Sequence, residues 1–372
     1  MTTPDAHAEP AADRSHNRQT MKSGLSRRGL LAGLGVAAAG AALQGRLPKP
    51  SRALAQRMPS DPAVEPKPGT FAFQVGAIRC TVLHDGWFPF DPAHPTIGTN
   101  VAQEDVHAAL RESFVPHDQV IGDVHGVLIQ HAGKMTLIDT GCGALFGANA
   151  GKLVDRLSDI GLVAADVDTL VLTHLHPDHI GGLLREPNRN PLPNARVVMH
   201  EDEHAFWSGD AGEPDFSKSG VPEPMRASMV AGARTVLEMF KDQIDLTDLE
   251  TTDLAAGLTL YHTPGHTPGH CGVQIRSGSA EANFVADVIH CAPVQFAHPD
   301  WHIAFDTDPV QAADVRQKVL ATAADQRLLM FGSHMPFPGI GHVKRQGDGF
   351  AWVPAIWRND LGGPRGAAYQ AK

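Results

Sequence analysis

Short apolar runs rich in β-branched residues recur along this chain, and most stop at a Gly/Pro corner or at one polar residue. Runs of that kind read as strands buried on both faces. Phe71–Val75 and Ile78–Leu83 are expected as the first strands, and Gly126–Gln130 with Met135–Asp139 as a hairpin. Val167–Leu172, the run from Leu258 into the corner Thr263–His270, Ala282–Asp287 and Arg327–His334 predict further strands. Apolar positions at helical spacing predict helices over Val101–Phe114, Ala148–Ile160, Pro222–Gln243 and Pro309–Ala324. The Pro/Gly-rich stretch Gly209–Pro224 is expected as a lid or pocket-edge loop. Strands and helices alternate in two runs with no internal repeat, which implies an α/β chain of two β-rich halves, each backed by helices.

The polar residues that close these runs are unusual in kind. Thr173-His174-Leu175-His176-Pro177-Asp178-His179-Ile180-Gly181-Gly182 places three imidazoles and a carboxylate at the end of a buried strand. All are good ligands for a borderline-soft divalent metal. The same arrangement returns three times: His266 and His270 in a Pro/Gly corner after a strand, Asp287 at the end of another, His334 at the end of a third. One histidine at a strand end is weak evidence; four strands ending in metal-type side chains are strong evidence. No Gly-x-Ser-x-Gly elbow and no phosphate-binding glycine loop is present to suggest other chemistry.

The order His-x-His-x-Asp-His, Gly-His, Asp, His over about residues 70–358 resembles the metallo-β-lactamase-fold hydrolases. The resemblance implies an αββα sandwich and two divalent ions, with Zn²⁺ suiting the ligand set best. It implies that His174, His176 and His266 hold one ion, that Asp178, His179 and His334 hold the other, and that Asp287 bridges both. His270 would stand beside the ligands without ligating. Asp139, in an Asp-Thr-Gly corner, would orient a ligating histidine. Asp at the bridge and His at position 179 favour the symmetric two-metal lactonases, thioesterases and phosphotriesterases over the true β-lactamases. Asp287–Phe296 with Phe337–His342 is similar to the methyl parathion hydrolases. That similarity places Phe146 and Trp207 as aromatic walls of a substrate pocket, while the stretch from Ser219 to Arg226 supplies no third ring. A shared hydroxide would be the nucleophile; Asp178 and His290 are expected at the reacting centre, His290 as a hydrogen-bond donor or general acid. The implied substrates are small neutral aryl esters or lactones, with organophosphate triesters as a further class, and the resemblance implies a homodimer. The alternative on the same fold is an iron-dependent persulfide dioxygenase.

The first 55 residues change the charge balance. Ser26-Arg27-Arg28-Gly29-Leu30-Leu31 is a twin-arginine motif, Gly29–Leu43 is a mildly apolar stretch, and Ala53-Leu54-Ala55 is a cleavage signal. The chain is therefore expected to reach the periplasm or beyond, with no stable membrane anchor. Taking that stretch's 8 basic and 3 acidic residues from the chain's 31 and 41 leaves 23 and 38, a net charge of −15. Such a surface argues against nucleic acid as substrate. Residues 56–69 are expected as a linker and 359–372 as a flexible tail. Cys80, Cys142, Cys271 and Cys291 show no zinc-knuckle spacing and are expected as buried thiols.

Overall fold

A computed structural model describes residues 69–186, 189–210, 212–249, 254 and 257–356. The expected export signal, most of the linker and the tail lie outside the described residues. The strands form two sheets. The first runs β1 (Thr70–Val75), β2 (Ile78–Phe90), β3 (Val120–His131), β4 (Lys134–Ile138), β5 (Thr169–Val171), β6 (Arg196–His200) and β7 (Ile244–Thr247) in sequence order. Pairing is antiparallel from β1 to β4 and parallel from β4 to β7. The second holds β8 (Leu258–His262), β9 (Cys271–Ser277), β10 (Ala280–Phe284), β11 (Leu329–Phe331), β12 (Ile340–Gln346) and β13 (Gly349–Pro354), ordered 13-12-11-10-9-8. Only β10 and β11 are parallel in it.

Alternation along the strands builds the layers. Val127, Ile129, Ile138, Val171 and Val198 of the first sheet meet Val273, Ile275, Phe284 and Phe331 of the second in one buried cluster. Their neighbours Leu128, Leu137, Leu170 and Val197 point the other way, under the helices Leu153–Asp159 and Glu223–Phe240. On the far side the helix Pro309–Asp325 lays Leu320 and Ala323 on Val285, Met330 and Val343. The result is the expected αββα sandwich, and burial on both faces explains why its strands are nearly continuous apolar runs.

The expected elements are present with shifted ends. The hairpin closes through Ala132-Gly133, both at positive φ (50° and 76°), as a two-residue turn requires. Helix-like spacing over Val101–Phe114 and Ala148–Ile160 yields shorter helices, Gln103–Glu112 and Leu153–Asp159. The loop after Gly209 is pinned by Phe216, buried against Phe206 and Trp207. All four cysteines are buried and unpaired.

Candidate metal centre

Every candidate ligand follows the carboxyl end of a strand: β5, β8, β10 or β11. After β5 the chain passes through His174 and His176, and Pro177 opens a single helical turn, Pro177–Ile180, that carries Asp178 and His179. The turn can sit there only because Gly181 and Gly182 follow. A Cβ on Gly181 would lie 2.1 Å from the Cys142 carbonyl oxygen, and one on Gly182 would lie 2.2 Å from that of Thr140. Two glycines therefore let the ligand loop press onto the Asp139–Cys142 corner, where Thr140 donates through both N–H and hydroxyl to the His179 carbonyl.

The side chains converge into two groups, His174/His176/His266 and Asp178/His179/Asp287/His334. His266 Nε2 is 2.8 Å from His176 Nδ1, 3.2 Å from His174 Nε2 and 3.3 Å from Asp287 Oδ2. In the second group, Asp287 lies 3.1 Å from His179 Nε2 through Oδ1 and 3.0 Å from His334 Nε2 through Oδ2, and Asp178 Oδ2 lies 3.3 Å from His334 Nε2. Ligand atoms around a tetrahedral zinc with bonds of 2.0–2.1 Å are about 3.3 Å apart. The donor set thus fits two divalent ions, with Asp287 able to reach both. Buried His179 Nε2 and Asp287 Oδ1 have no hydrogen-bond partner among the described residues, as ligand atoms aimed at a cation would not.

Electrostatics point the same way. Burial disfavours charge on every group here, yet Asp287 and Asp306 hold His266 up to about 9, and Asp287 and Asp178 hold His334 up to about 10. Burial and neighbouring imidazoles keep His174 and His176 well below the usual range. Burial would raise Asp287, but the surrounding histidines hold it well below an ordinary carboxyl. Carboxylates this deep demand positive charge, and a divalent ion supplies it while leaving imidazoles neutral to ligate.

A second ring of groups fixes the ligands. Asp139, at φ 56°, accepts from Thr173 N–H and hydroxyl and pairs with His179 Nδ1 at 2.8 Å. His270 pairs with the Thr263 hydroxyl and takes the Asp287 N–H on Nε2 at 3.1 Å, so it holds the bridging residue's backbone. Two carboxylates and one backbone oxygen escape the sequence reading. Asp306 pairs with His266 Nδ1 at 2.8 Å and is backed by fully buried Arg316 at 3.6 Å. Glu203 accepts from Leu175 N–H, Gly269 N–H, the Thr267 hydroxyl and Trp207 Nε1–H, tying the His174 loop to the His266 corner. Asp123 takes His334 Nδ1 on its backbone oxygen at 2.8 Å. None has a local motif; only the parity of polar residues in apolar surroundings hints at them.

His290 stands at the edge of the centre, with Nε2 3.2 Å from Asp287 Oδ2 and its ring stacked 5.3 Å from His334. Burial, with help from the neighbouring imidazoles, pushes it down to about 4, so it is a neutral imidazole at pH 7. His290 and His334 line a cavity of about 240 Å³ whose other walls are mainly apolar: Val115, Val120, Ile121, Pro293 and Pro336. Phe146 is half-buried and stacks on Phe88 at 4.6 Å, and Phe88 meets His334 edge-on at 6.2 Å. Phe88, a ring on β2, thus stands between Phe146 and His334. Trp207 needs correction. It is fully buried in the helix-side core, edge-on to His176 and bonded to Glu203, so it braces a ligand instead of walling a pocket.

Comparison with known proteins adds three findings. The model of the metallo-beta-lactamase superfamily matches residues 121–334. Among curated proteins, the N-acyl homoserine lactonases AttM and AiiB of Agrobacterium fabrum are 33% identical over 128 residues and 27% identical over 180 residues. These stretches are 33% and 41% of this chain and 41% and 58% of those proteins, so the chain spans about half the length of the relatives it matches. Among solved structures, AidC, a dizinc quorum-quenching lactonase in complex with a homoserine product, superposes with a TM-score of 0.73 at 30% identity, over 78% of this chain and 98% of AidC. The hydrolase AbOPH superposes with a TM-score of 0.70 at 28% identity, over 79% of this chain and all of AbOPH.

Proposed function

The chain belongs to the metallo-β-lactamase superfamily and is a metal-dependent hydrolase; we propose that it opens small, uncharged lactones and aryl esters at a two-zinc centre. His174, His176 and His266 would hold one ion, Asp178, His179 and His334 the other, and Asp287 both. The ions, when bound, supply a hydroxide nucleophile near neutral pH and polarise the substrate's carbonyl. The observation that carries this reading is the joining of that ligand set to an apolar cavity through His290 and His334.

The chain's own residues do the rest. The cavity takes the apolar part of the substrate out of water, and the Phe88–Phe146 pair offers a face for an aromatic leaving group. Asp178, the most exposed of the seven ligands at 13%, lies on the side a substrate approaches. His290 donates a hydrogen bond to the substrate's oxygen from a neutral ring; a neutral donor stabilises developing charge without having to lose a proton first. Asp139, Asp306 and His270 keep the ligands from turning.

The lactonase relatives and AidC support lactones ahead of phosphotriesters. The zinc-loaded chain from Gln56 is to be assayed on dihydrocoumarin and on methyl parathion. A kcat/KM at least about tenfold higher on the lactone supports the proposal. Faster cleavage of the phosphotriester moves the assignment to organophosphate hydrolysis, which the Phe88–Phe146 face would serve. Oxygen uptake with a persulfide, with no hydrolysis of either, would mean a dioxygenase. Export through the twin-arginine route belongs to the same proposal, supported by Ser26–Leu31 and Ala53–Ala55. Replacing Arg27 and Arg28 by Lys should retain the protein in the cytoplasm, and unchanged periplasmic recovery would remove that part.

A further inference from the structure

The cavity beside the metal centre has one carboxylate on its wall, and the proposed reaction leaves that group without a task. Asp123 lies on β3 two residues from Ile121, so by strand alternation both side chains face the same way, and both line the cavity with His290 and His334. One oxygen of Asp123 is fixed by His84 Nε2 at 2.9 Å. Its Oδ2 has no hydrogen-bond partner among the described residues. The side chain is 23% exposed and that of His84 22%, so neither is sealed in the core, and of the two it is Asp123 that lines the cavity. His84 is held in its turn: its ring lies 5.2 Å from those of His125 and Phe337. The backbone oxygen of the same residue is engaged by His334 Nδ1, which places the carboxylate within one residue's reach of the metal centre.

The wall is mainly apolar, its other polar residues being Gln119, His290 and His334, and a carboxylate there costs desolvation whenever a purely hydrocarbon substrate covers it. It repays a substrate that brings an N–H to meet it, because a hydrogen bond to a charged acceptor is worth more than one between neutral groups. We propose that Asp123, oriented by His84, is a specificity-determining residue that selects substrates bearing an N–H donor, amide or ammonium, between the reacting ester carbon and the apolar tail. This rests on the lactonase reading above. It also predicts discrimination against substrates with a carboxylate at that position, which would face Asp123 as a like charge.

The test uses three γ-lactones: N-hexanoyl-homoserine lactone, with an amide N–H; γ-decalactone, with a tail and no N–H; and α-amino-γ-butyrolactone, with an ammonium. The quantity read is the ratio of kcat/KM for each N–H lactone to that for γ-decalactone. Asp123→Ala should lower the ratio at least about tenfold, mostly through KM, as loss of one charge-assisted hydrogen bond does. Asp123→Asn keeps the shape, removes the charge and covers the case in which the alanine variant fails to fold. It should lower the ratio too, and more for the ammonium than the amide if a cation is the natural partner. His84→Ala, which frees the carboxylate without removing it, should give a smaller fall. Ratios within about twofold of wild type in both Asp123 variants, with lactone turnover intact, overturn the proposal and leave the lactonase reading standing. A wild-type protein that opens none of the three removes the lactonase reading and this proposal together.

Discussion

The metal centre and the cavity beside it share His290 and His334, yet they are built on opposite plans. In the centre every candidate ligand is nine-tenths or more buried except Asp178, and almost every ring nitrogen turned away from the two proposed ion sites is tied to a carboxylate, hydroxyl or backbone oxygen. Apart from the two shared histidines, the cavity is made of aliphatic residues and prolines with Gln119 and one carboxylate, Asp123, and its rim exposes Ile121 at 47%. The first plan fixes positions and leaves little freedom to change. The second excludes water, tolerates exchange of side chains and decides what is bound. Chemistry is therefore expected to be brittle to mutation in one place, and selectivity to be adjustable in the other.

The largest expected effect breaks the brittle side. Asp287→Ala removes the group that reaches both donor sets and leaves His179, His266 and His334 without their shared counter-charge. Metal content should fall from two equivalents to one or fewer, and lactone kcat/KM by at least about a thousandfold. Full metal content by elemental analysis would contradict the bridging role.

Next comes Glu203→Ala, at a fully buried carboxylate outside the set of seven proposed ligands. It leaves four buried donors, two of them backbone N–H groups on the ligand loops, with no acceptor. A loss of more than about 4 kcal/mol in denaturant unfolding of the zinc-loaded protein is expected. Loss of less than about 1 kcal/mol would mean water replaces the carboxylate and the loops are held otherwise.

His290→Ala sits on the boundary between the two regions. Loss of one aimed donor should cost about a hundredfold in kcat with little change in KM. The pH dependence sharpens the assignment. Burial pushes this imidazole down to about 4, so it stays neutral above that value, and bound cations would push the same way. The ratio of wild-type to variant kcat should therefore be constant from pH 6 to pH 9. A ratio that declines towards high pH would mean that His290 acts as an imidazolium acid.

The smallest effects belong to the adjustable side. Phe146→Ala removes a stacking partner of Phe88 and leaves the ligands untouched. A rise of about three- to tenfold in KM for aryl substrates is expected, with alkyl lactones less affected, in line with the worth of one aromatic pair. Equal effects on both classes would mean that the pair shapes the loop and not the site.

The contrast also explains what could be read in advance. His174, His176, Asp178 and His179 are four candidate ligands within six positions, and their meaning survives without any tertiary knowledge. His266, Asp287 and His334 each close an apolar strand, so their convergence follows once the strands are known to lie side by side. Asp306 and Glu203 are single acidic residues among many; the histidine Asp306 holds lies 40 residues away, and Glu203 joins loops 28 residues before it and 64 after it. Phe88 was hidden because its strand runs on to Phe90, past the apolar run Ile78–Leu83 and through a bulge between His84 and Gly86. Trp207 misled because aromatic residues near a site look alike in sequence whether they face the ligand or the core, and only the Glu203 hydrogen bond separates the two. The fold was legible almost to its layers, since strands buried on both faces leave long apolar runs. The pocket was not, since prolines and valines of scattered loops leave no pattern.

The measurement that bears most directly on the central claim is a zinc titration of the metal-free chain from Gln56, followed by initial rates of dihydrocoumarin opening. Seven convergent ligands with Asp287 shared between two sets predict that activity climbs with zinc and saturates at two equivalents per chain. Full activity at one equivalent, or lactone opening that does not depend on added metal, would contradict a two-ion centre and with it the assignment of His266 and Asp287 to a common site.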